Sequence, residues 1–265
     1  INFKMKKQNI VVLGGSELQI PIINYLIGLN DYNILIFDNN ISCLASKIKT
    51  VNFVNISNTN HVKISEYLNK KKIIINAIIT NSDKAIYAKS ILDKKYKLDG
   101  INEYTALLSV DKYEQLKYCV KHRIKHPLHF LINKNDDLNK INIFPGVLKP
   151  VQSSGSRDVI RINNFNELEI EFYKLINHKY DSLLYQEFIV GEEVSIEGFV
   201  IKGKTNIIGI TQKIKFESSK YFVESGHIFP AEIDILTEKK IINFVNSLLN
   251  PLGLISTPFH VEVKV

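Results

Sequence analysis

A lysine followed by a loop of small polar residues is the feature of this sequence best suited to chemistry. A short apolar strand at 144–150 ends in Lys149 and Pro150, and the chain returns as a second strand at 158–162. A hairpin of this kind places an ammonium group and free backbone N–H groups beside a phosphate. The loop between the strands contains Ser153, Ser154, Gly155 and Ser156. Nucleotide binding is the first hypothesis, and the alternative is that the loop only turns a surface hairpin.

Two further segments carry acids at useful positions. Residues 183–188 predict a strand that turns at Gly191, and Glu193 opens the next strand. A strand edge can hydrogen-bond a flat purine, and a nearby carboxylate can accept both ribose hydroxyls, so Glu193 is our candidate for the ribose. His260 and Glu262 alternate with apolar residues and share one face of a strand. A carboxylate there could hold Mg²⁺ against phosphates.

Composition limits the classes of protein. The chain has 265 residues, 45% of them hydrophobic, and a formal net charge of +7 that arises largely from scattered lysines. No arginine-rich arm or zinc spacing accompanies this charge, so we expect no nucleic-acid partner. Cys43 and Cys119 are the two cysteines, which predicts neither a disulfide framework nor a metal knuckle. The apolar run at 10–13 is too short for a leader or a membrane span, so we expect a cytoplasmic protein.

The elements that position these residues divide into two halves. In the first half, strands are predicted at 10–13, 34–38, 51–54 and 73–79, with helices at 18–29 and 83–94. This alternation favours a doubly wound parallel α/β unit. In the second half, helices are predicted at 111–122, 167–177 and 238–249. Antiparallel strands are predicted at 183–188, 194–201 and 207–214, so that this half is α+β. We place the domain boundary between residues 108 and 109.

The first half also raises a nicotinamide hypothesis. Gly14 and Gly15 follow a strand, and Asp38 ends the next strand, where a ribose-binding acid would lie. Glu17 and Gln19 stand where the dinucleotide fingerprint requires further glycines. The fingerprint is therefore incomplete, and the alternative is that the two glycines serve only the turn between strand and helix.

Five segments, in order and spacing, resemble the ATP-grasp superfamily of carboxylate ligases with its preceding α/β domain. The resemblance spans nearly the whole chain and is strongest to the branch of amino-acid ligases and the relatives of biotin carboxylase and carbamoyl phosphate synthetase. The segments are 109–112, 147–150 with its Ser/Gly loop, 186–193, 225–231 and 260–262.

The resemblance implies roles for individual residues. Lys112 and Lys149 would contact the nucleotide phosphates, and residues 153–156 would form a mobile loop over the γ-phosphate. The hinge that hydrogen-bonds adenine would be Gln186, Glu187, Phe188 and Ile189. Glu193 would bind ribose, Glu262 would bind magnesium or manganese, and His227 would line the substrate pocket. Residues 123–184 would form a lid and 185–265 the nucleotide and metal subdomain.

The implied reaction is the ATP-dependent activation of a carboxylate as an acyl phosphate, which an amine or another nucleophile attacks. Lys213 and its neighbour Lys215 could point at the acyl phosphate, or they could be solvated surface lysines. Ser154 and Lys149 would act in catalysis with Lys213. The partners expected are a small carboxylate and an amine, with no membrane, and a homo-oligomer is left open.

One departure from the family matters. Its second metal motif, a Glu-x-Asn followed by Arg, should come shortly after residue 265, so we expect the C-terminal part of the fold to be missing here. A protein without that motif would bind ATP without turnover and act as a regulatory or scaffold protein. The remaining alternative is the nicotinamide-dependent oxidoreductase.

Overall fold

The computed structural model describes residues 7–153, 155–215, 222 and 224–265. The chain divides into two compact units, residues 1–107 and 108–265. The helix Glu103–Leu108 lies at the boundary between them.

The first unit is a parallel sheet of four strands. Its strands are β1 (Gln8–Leu13), β2 (Tyr32–Asp38), β3 (Asn52–Asn55) and β4 (Ala77–Ile79), in the order β3-β2-β1-β4. All three pairings are parallel. The helices of this unit are α1 (Ile20–Leu29), α2 (His61–Lys70) and α3 (Asp83–Tyr96), followed by α4, the boundary helix.

Helices cover both faces of this sheet. Val11 and Leu13 of β1 pack into a core with α2 and α3, whereas Ile10 and Val12 pack into a separate core with α1. Successive side chains of a strand point to opposite faces, and both faces are apolar, so the strands read as continuous apolar runs. The predicted doubly wound parallel sheet is confirmed.

The second unit begins with helix α5 (Lys112–Lys121) and an antiparallel sheet that we call the Lys149 sheet. Its strands are β5 (His129–Asn133), β6 (Gly146–Pro150), β7 (Ile160–Ile162) and β8 (Ser182–Glu187), in the order β5-β8-β6-β7. Helix α6 (Phe165–Ile176) covers one face, where Leu148 and Tyr185 pack against Phe172. The opposite face therefore carries the side chains that alternate with this core.

A second antiparallel sheet, the Glu262 sheet, completes the unit. Its strands are β9 (Glu193–Ile201), β10 (Lys204–Lys215), β11 (Glu224–Ile228) and β12 (Ser256–Lys264), in the order β11-β10-β9-β12. Helix α7 (Ile235–Leu249) packs Ile241 and Val245 against Val194 and Ile196. Glu193, Ser195 and Glu197, which alternate with these core residues along β9, therefore lie on the face away from α7. The predicted antiparallel second half is confirmed.

Candidate active site

Lys149 lies on the face of the Lys149 sheet opposite to α6. Its neighbour Leu148 is fully buried in the core of that sheet, so the alternation of β6 turns the lysine the other way. Burial, together with the positive charge of Lys112, lowers the pKa of Lys149 to about 8. A partly buried ammonium held beside a second cation is stabilised by an anion, and a polyphosphate supplies one.

Helix α5 holds the loop that follows Lys149. Asp111 caps the helix by accepting hydrogen bonds from the N–H groups of its first turn, and its second oxygen accepts from Gln152 Nε2 at 3.0 Å. Lys112 Nζ donates to the Ser153 carbonyl at 2.5 Å. Ser153 Oγ is buried without a hydrogen-bond partner among the described residues. Because buried polar atoms are nearly always satisfied, this hydroxyl fits a loop that receives an anion.

The rest of the predicted phosphate loop is exposed to solvent where the structure describes it. Gly155 and Ser156 are exposed and have φ angles of 65° and 52°, a left-handed conformation that glycine adopts without strain. Ser154 lies outside the described residues.

The predicted hinge continues from the end of β8. Gln186 lies in register with Val147 of β6, and the Glu187 N–H donates to the Leu128 carbonyl at 2.8 Å. Glu187 also accepts from the Leu128 N–H at 3.2 Å through Oε2. Glu187 is therefore tied to the segment before β5, whereas Gln186 lies within the sheet beside β6.

The last two hinge residues contact other parts of the unit. The Phe188 N–H donates to the Pro145 carbonyl at 3.1 Å. The Ile189 carbonyl accepts from Lys264 Nζ at 2.8 Å. Lys264 was not predicted as a site residue, and burial with the neighbouring charge of Lys215 lowers its pKa.

Lys213 is the centre of an ion-pair cluster on the Glu262 sheet. Its side chain is only 6% exposed, and Nζ lies 3.1 Å from Glu224, 3.5 Å from Glu193 and in contact with Glu262. Lys215 makes a second ion pair with Glu193. Burial alone would lower the pKa of Lys213, but its hydrogen bonds to Glu262 and Glu224 outweigh burial and raise it.

Strand register explains this cluster. Lys213 of β10 lies opposite Glu193 of β9 and opposite His227 of β11. Residues opposite each other in an antiparallel pair share a face. His227 is half exposed and its Nε2 lies 3.3 Å from Glu224, so the structure places it on the same face as Lys213.

Glu262 is ionised at neutral pH. The hydrogen bond from His260, followed by the ammonium of Lys213, lowers the pKa of Glu262 to about 2. The other side of the imidazole lies 3.2 Å from Glu197, and the hydrogen bond to Glu262 raises the pKa of His260. Among the described residues, no group of three or more His, Cys, Asp or Glu side chains is arranged to hold a metal. One ionised carboxylate fits Mg²⁺ that takes its other ligands from phosphates and water.

The two sheets bring their charged groups together. Lys149 of the Lys149 sheet interacts electrostatically with Glu193 and Glu262 of the Glu262 sheet. Sequence reasoning missed Glu197, Glu224, Lys264 and Arg161. The alternation of acids along β9 could have indicated Glu197, but the others depend on which strands pair.

Gly14 and Gly15 serve the turn after β1. Gly14 has a φ of 108°, which favours glycine, and a Cβ on Gly15 would lie 2.6 Å from Cys43 Sγ. Asp38 accepts from the Gly15 N–H at 2.7 Å and from the Asn40 N–H at 2.8 Å. Its carboxylate is therefore occupied by backbone, which favours the structural interpretation of these residues over a ribose site.

The fold and the site can be compared with known protein families. Two antiparallel sheets, each covered by a helix on one side, face a cluster of lysines and carboxylates that suits a nucleotide polyphosphate. Residues 142–265 match the model of the ATP-grasp domain family. This part of the chain is therefore similar to the ATP-grasp domain, the family that the sequence motifs resemble.

Known proteins agree with this assignment. A D-alanine–D-alanine ligase of Flavobacterium psychrophilum is 26% identical over 167 residues, which are 58% of this chain and 50% of that protein. The chain therefore spans about half the length of this curated relative. The crystal structure of an L-amino acid ligase from Bacillus licheniformis has a TM-score of 0.80 at 18% identity, with 98% of this chain and 64% of that chain covered.

A further solved structure has the same fold. It is the N5-carboxyaminoimidazole synthetase from Staphylococcus aureus complexed with ADP, with a TM-score of 0.78, 18% identity, and coverage of 100% of this chain and 69% of that one. In the part of the chain that the structure describes, no helix combines the length and the apolar character needed to cross a membrane.

Proposed function

We propose that this protein is an ATP- and Mg²⁺-dependent ligase that activates a carboxylate as an acyl phosphate for attack by an amine or another nucleophile. The observation that carries the proposal is that Lys149 lies within electrostatic range of Glu193 and Glu262, which belong to the other sheet of the same unit. Lysines and carboxylates at these positions suit the phosphates, the ribose and the metal of one nucleotide.

Each residue has a role in this proposal. Lys112 and Lys149 offset charge on the β- and γ-phosphates, and the loop from Ser153 closes over them. Phosphoryl transfer needs positioning and charge stabilisation more than covalent work by the protein. A closed loop also excludes water, which would hydrolyse an acyl phosphate.

The Glu262 sheet supplies the remaining groups. Glu193 would accept the ribose hydroxyls, and Glu262 would hold Mg²⁺, whose positive charge would offset the negative charge of the phosphates. Lys213 is held by three carboxylates, and a phosphate bound between them would compete for its ammonium. His227 lies beside it in register and would line the pocket of the carboxylate substrate.

The relatives support the reaction class. The curated relative and the two structural neighbours are named as ligases or a synthetase, and one of those structures contains ADP. Two of those names include an amino acid as substrate. An amino acid is therefore the first carboxylate to test.

The test is ADP release by the purified protein with Mg²⁺ and ATP, with pools of D- and L-amino acids and small carboxylates offered with and without an amine. Substrate-dependent ADP that vanishes in Lys149→Met and persists in Lys239→Met, an exposed lysine of α7, is the expected result. Binding of ATP without ADP from any pool would favour a nucleotide-binding protein without turnover. Absence of ATP binding would contradict both.

A further inference from the structure

Arg161 is a partly buried cation that the proposed reaction does not yet use. On β7, Ile160 and Ile162 pack into the core under α6, so Arg161 between them faces the opposite side of the sheet. Its guanidinium carbon lies 4.4 Å from the centre of the Phe188 ring. Its Nε is buried and has no hydrogen-bond partner among the described residues.

The buried Nε–H of Arg161 indicates that an acceptor is missing among the described residues. Buried donors almost always have a partner, because a donor without one loses its hydrogen bonds to water and gains none in return. The Phe188 ring makes a cation–π contact with the flat face of the guanidinium. It provides no acceptor for the Nε–H, which lies at the edge of that group. An acceptor from outside the described part of the chain, entering this face of the sheet, would therefore satisfy this N–H.

The register of the sheet shows where that acceptor would come from. Arg161 lies directly opposite Val147, and Lys149 is two residues further along β6 on the same face. Diagonal neighbours of this kind are about 7–8 Å apart. A nucleotide whose phosphates lie on Lys149 can thus extend along the face towards Arg161 and the hinge residue Phe188.

Lys264 offers a useful contrast. Its Nζ also lies over the Phe188 ring, at 5.0 Å, but it donates to the Ile189 carbonyl. Of these two cations, Arg161 is the one with a buried nitrogen that has no hydrogen-bond partner among the described residues.

We propose that Arg161 binds the nucleotide base, with its plane packed on Phe188 and its Nε–H donating to a ring nitrogen of a purine. This inference rests on the proposed function and adds to it a base-contacting residue from β7. Arg161 thereby connects the strand that follows the phosphate loop to the hinge. A single donor of this kind recognises a purine acceptor without distinguishing the exocyclic groups.

The test separates the base from the phosphates. Isothermal titration with ATP and with inorganic tripolyphosphate, both with Mg²⁺, is carried out on wild type, Arg161→Met and Lys239→Met. Arg161→Met keeps an apolar stem over Phe188 but lacks the donor. The expected result is a Kd for ATP about tenfold higher in Arg161→Met, with the Kd for tripolyphosphate within twofold of wild type.

Other outcomes overturn the inference in distinguishable ways. Equal weakening of ATP and tripolyphosphate would show that Arg161 acts on the phosphates through its charge. Unchanged affinity for both ligands would show that it only supports the hinge. Failure of the wild type to bind ATP would overturn the proposed function and the assignment of Arg161 together.

A second variant guards against misfolding. Arg161→Lys keeps the positive charge but lacks the planar group and its Nε–H. Its affinity for ATP should also fall at unchanged affinity for tripolyphosphate, and thermal unfolding should show that both variants are folded. Full ATP affinity in Arg161→Lys would overturn the role of the Nε–H donor.

Discussion

The Nε2 atom of His260 lies 3.3 Å from Oε1 of Glu262, two residues further along the same strand. Because Nδ1 of the ring lies 3.2 Å from Glu197, the imidazole bridges two carboxylates. This contact keeps Glu262 ionised and places its charge beside the ammonium of Lys213.

The pair of His260 and Glu262 should make stability depend on pH. The pKa of Glu262 is lowered from 4.5 to about 2, so its contribution is present above pH 4.5 and is lost as pH falls towards 2. The pKa of His260 is raised above 6.5, so its contribution is present below pH 6.5 and is lost as pH rises through the raised value.

The measurement is urea unfolding of wild type and Glu262→Gln between pH 2.5 and 8. The difference in the free energy of unfolding should be largest near pH 5 to 6 and fall on both sides. About half of the Glu262 side chain is exposed, so screening limits the maximum to about 1 kcal/mol. A difference that does not change with pH would contradict the hydrogen-bonded pair.

Lys149→Met should strongly reduce turnover while making the nucleotide-free protein more stable. The pKa of Lys149 is lowered to about 8, so the folded protein penalises the ammonium form at pH 7. Removing it should stabilise the fold by on the order of 2 kcal/mol. ADP formation should fall by roughly 10²–10³-fold, since the lost charge faces the transferring phosphate.

The pH dependence of the same variant provides the check. Between pH 8 and 10.5 the unfolded chain binds the Lys149 proton more tightly than the folded one, so this residue makes wild-type stability rise with pH. The rise should be absent in Lys149→Met and present in Lys239→Met. Lower stability of Lys149→Met at pH 7 would show that the lysine is stabilised by its neighbours without a ligand.

The sequence predicts most of the fold because its apolar runs are long. Strands β1 and β2 each contain an unbroken apolar run, at 10–13 and 34–37, and a parallel sheet buried on both faces requires that pattern. Helix α2 is not predicted, since polar residues dominate it and only Ile64, Ser65 and Leu68 are buried. Helix α7 begins at Ile235, earlier than the predicted 238, because Asp234 caps it through the Leu236 and Thr237 N–H groups.

The site is less predictable than the fold because its contacts cross strands. Lys213 and Glu262 are far apart in sequence and meet because β10 and β12 both flank β9. A register irregularity between Ile207 and Gly209 changes which residues oppose each other, and nothing local in the sequence signals it. Sequence motifs therefore predict Glu193 and Glu262. The ion pairs that these carboxylates make with lysines can be predicted only when the pairing of the strands is known.

Glu193→Gln should remove discrimination between ATP and 2′-deoxy-ATP. If the carboxylate accepts the ribose hydroxyls, wild type should have a KM for ATP several-fold lower than for the deoxy analogue. A charged acceptor is worth about 1.5–3 kcal/mol, so the variant should raise the KM for ATP about tenfold and the KM for 2′-deoxy-ATP by less.

Steady-state ADP release with each nucleotide tests this, with Glu238→Gln on the exposed start of α7 as the matched control. Glu193 also pairs with Lys213 and Lys215, and losing those pairs would affect both nucleotides alike. An equal rise in both KM values would therefore indicate that Glu193 acts through its ion pairs with the two lysines and does not bind the ribose.

Two glycine variants of the first unit should change stability in opposite directions. A Cβ on Gly15 would lie 2.6 Å from Cys43 Sγ and 3.1 Å from Ala45 Cβ, so Gly15→Ala should destabilise the protein by about 1–3 kcal/mol. Gly28 lies in α1 with nothing within 4 Å of its Cβ position. Gly28→Ala should stabilise by about 0.5–1 kcal/mol, because alanine loses less backbone entropy in a helix.

Urea unfolding measures both effects, and the KM for ATP and the binding of NAD⁺ provide the functional readouts. A turn that serves only folding gives a large change in stability at Gly15, with the KM for ATP unchanged and no NAD⁺ bound by wild type. Tight NAD⁺ binding that Gly15→Ala abolishes would instead revive the dinucleotide hypothesis. The carboxylate of Asp38 argues against that outcome, because the backbone N–H groups of Gly15 and Asn40 already occupy it.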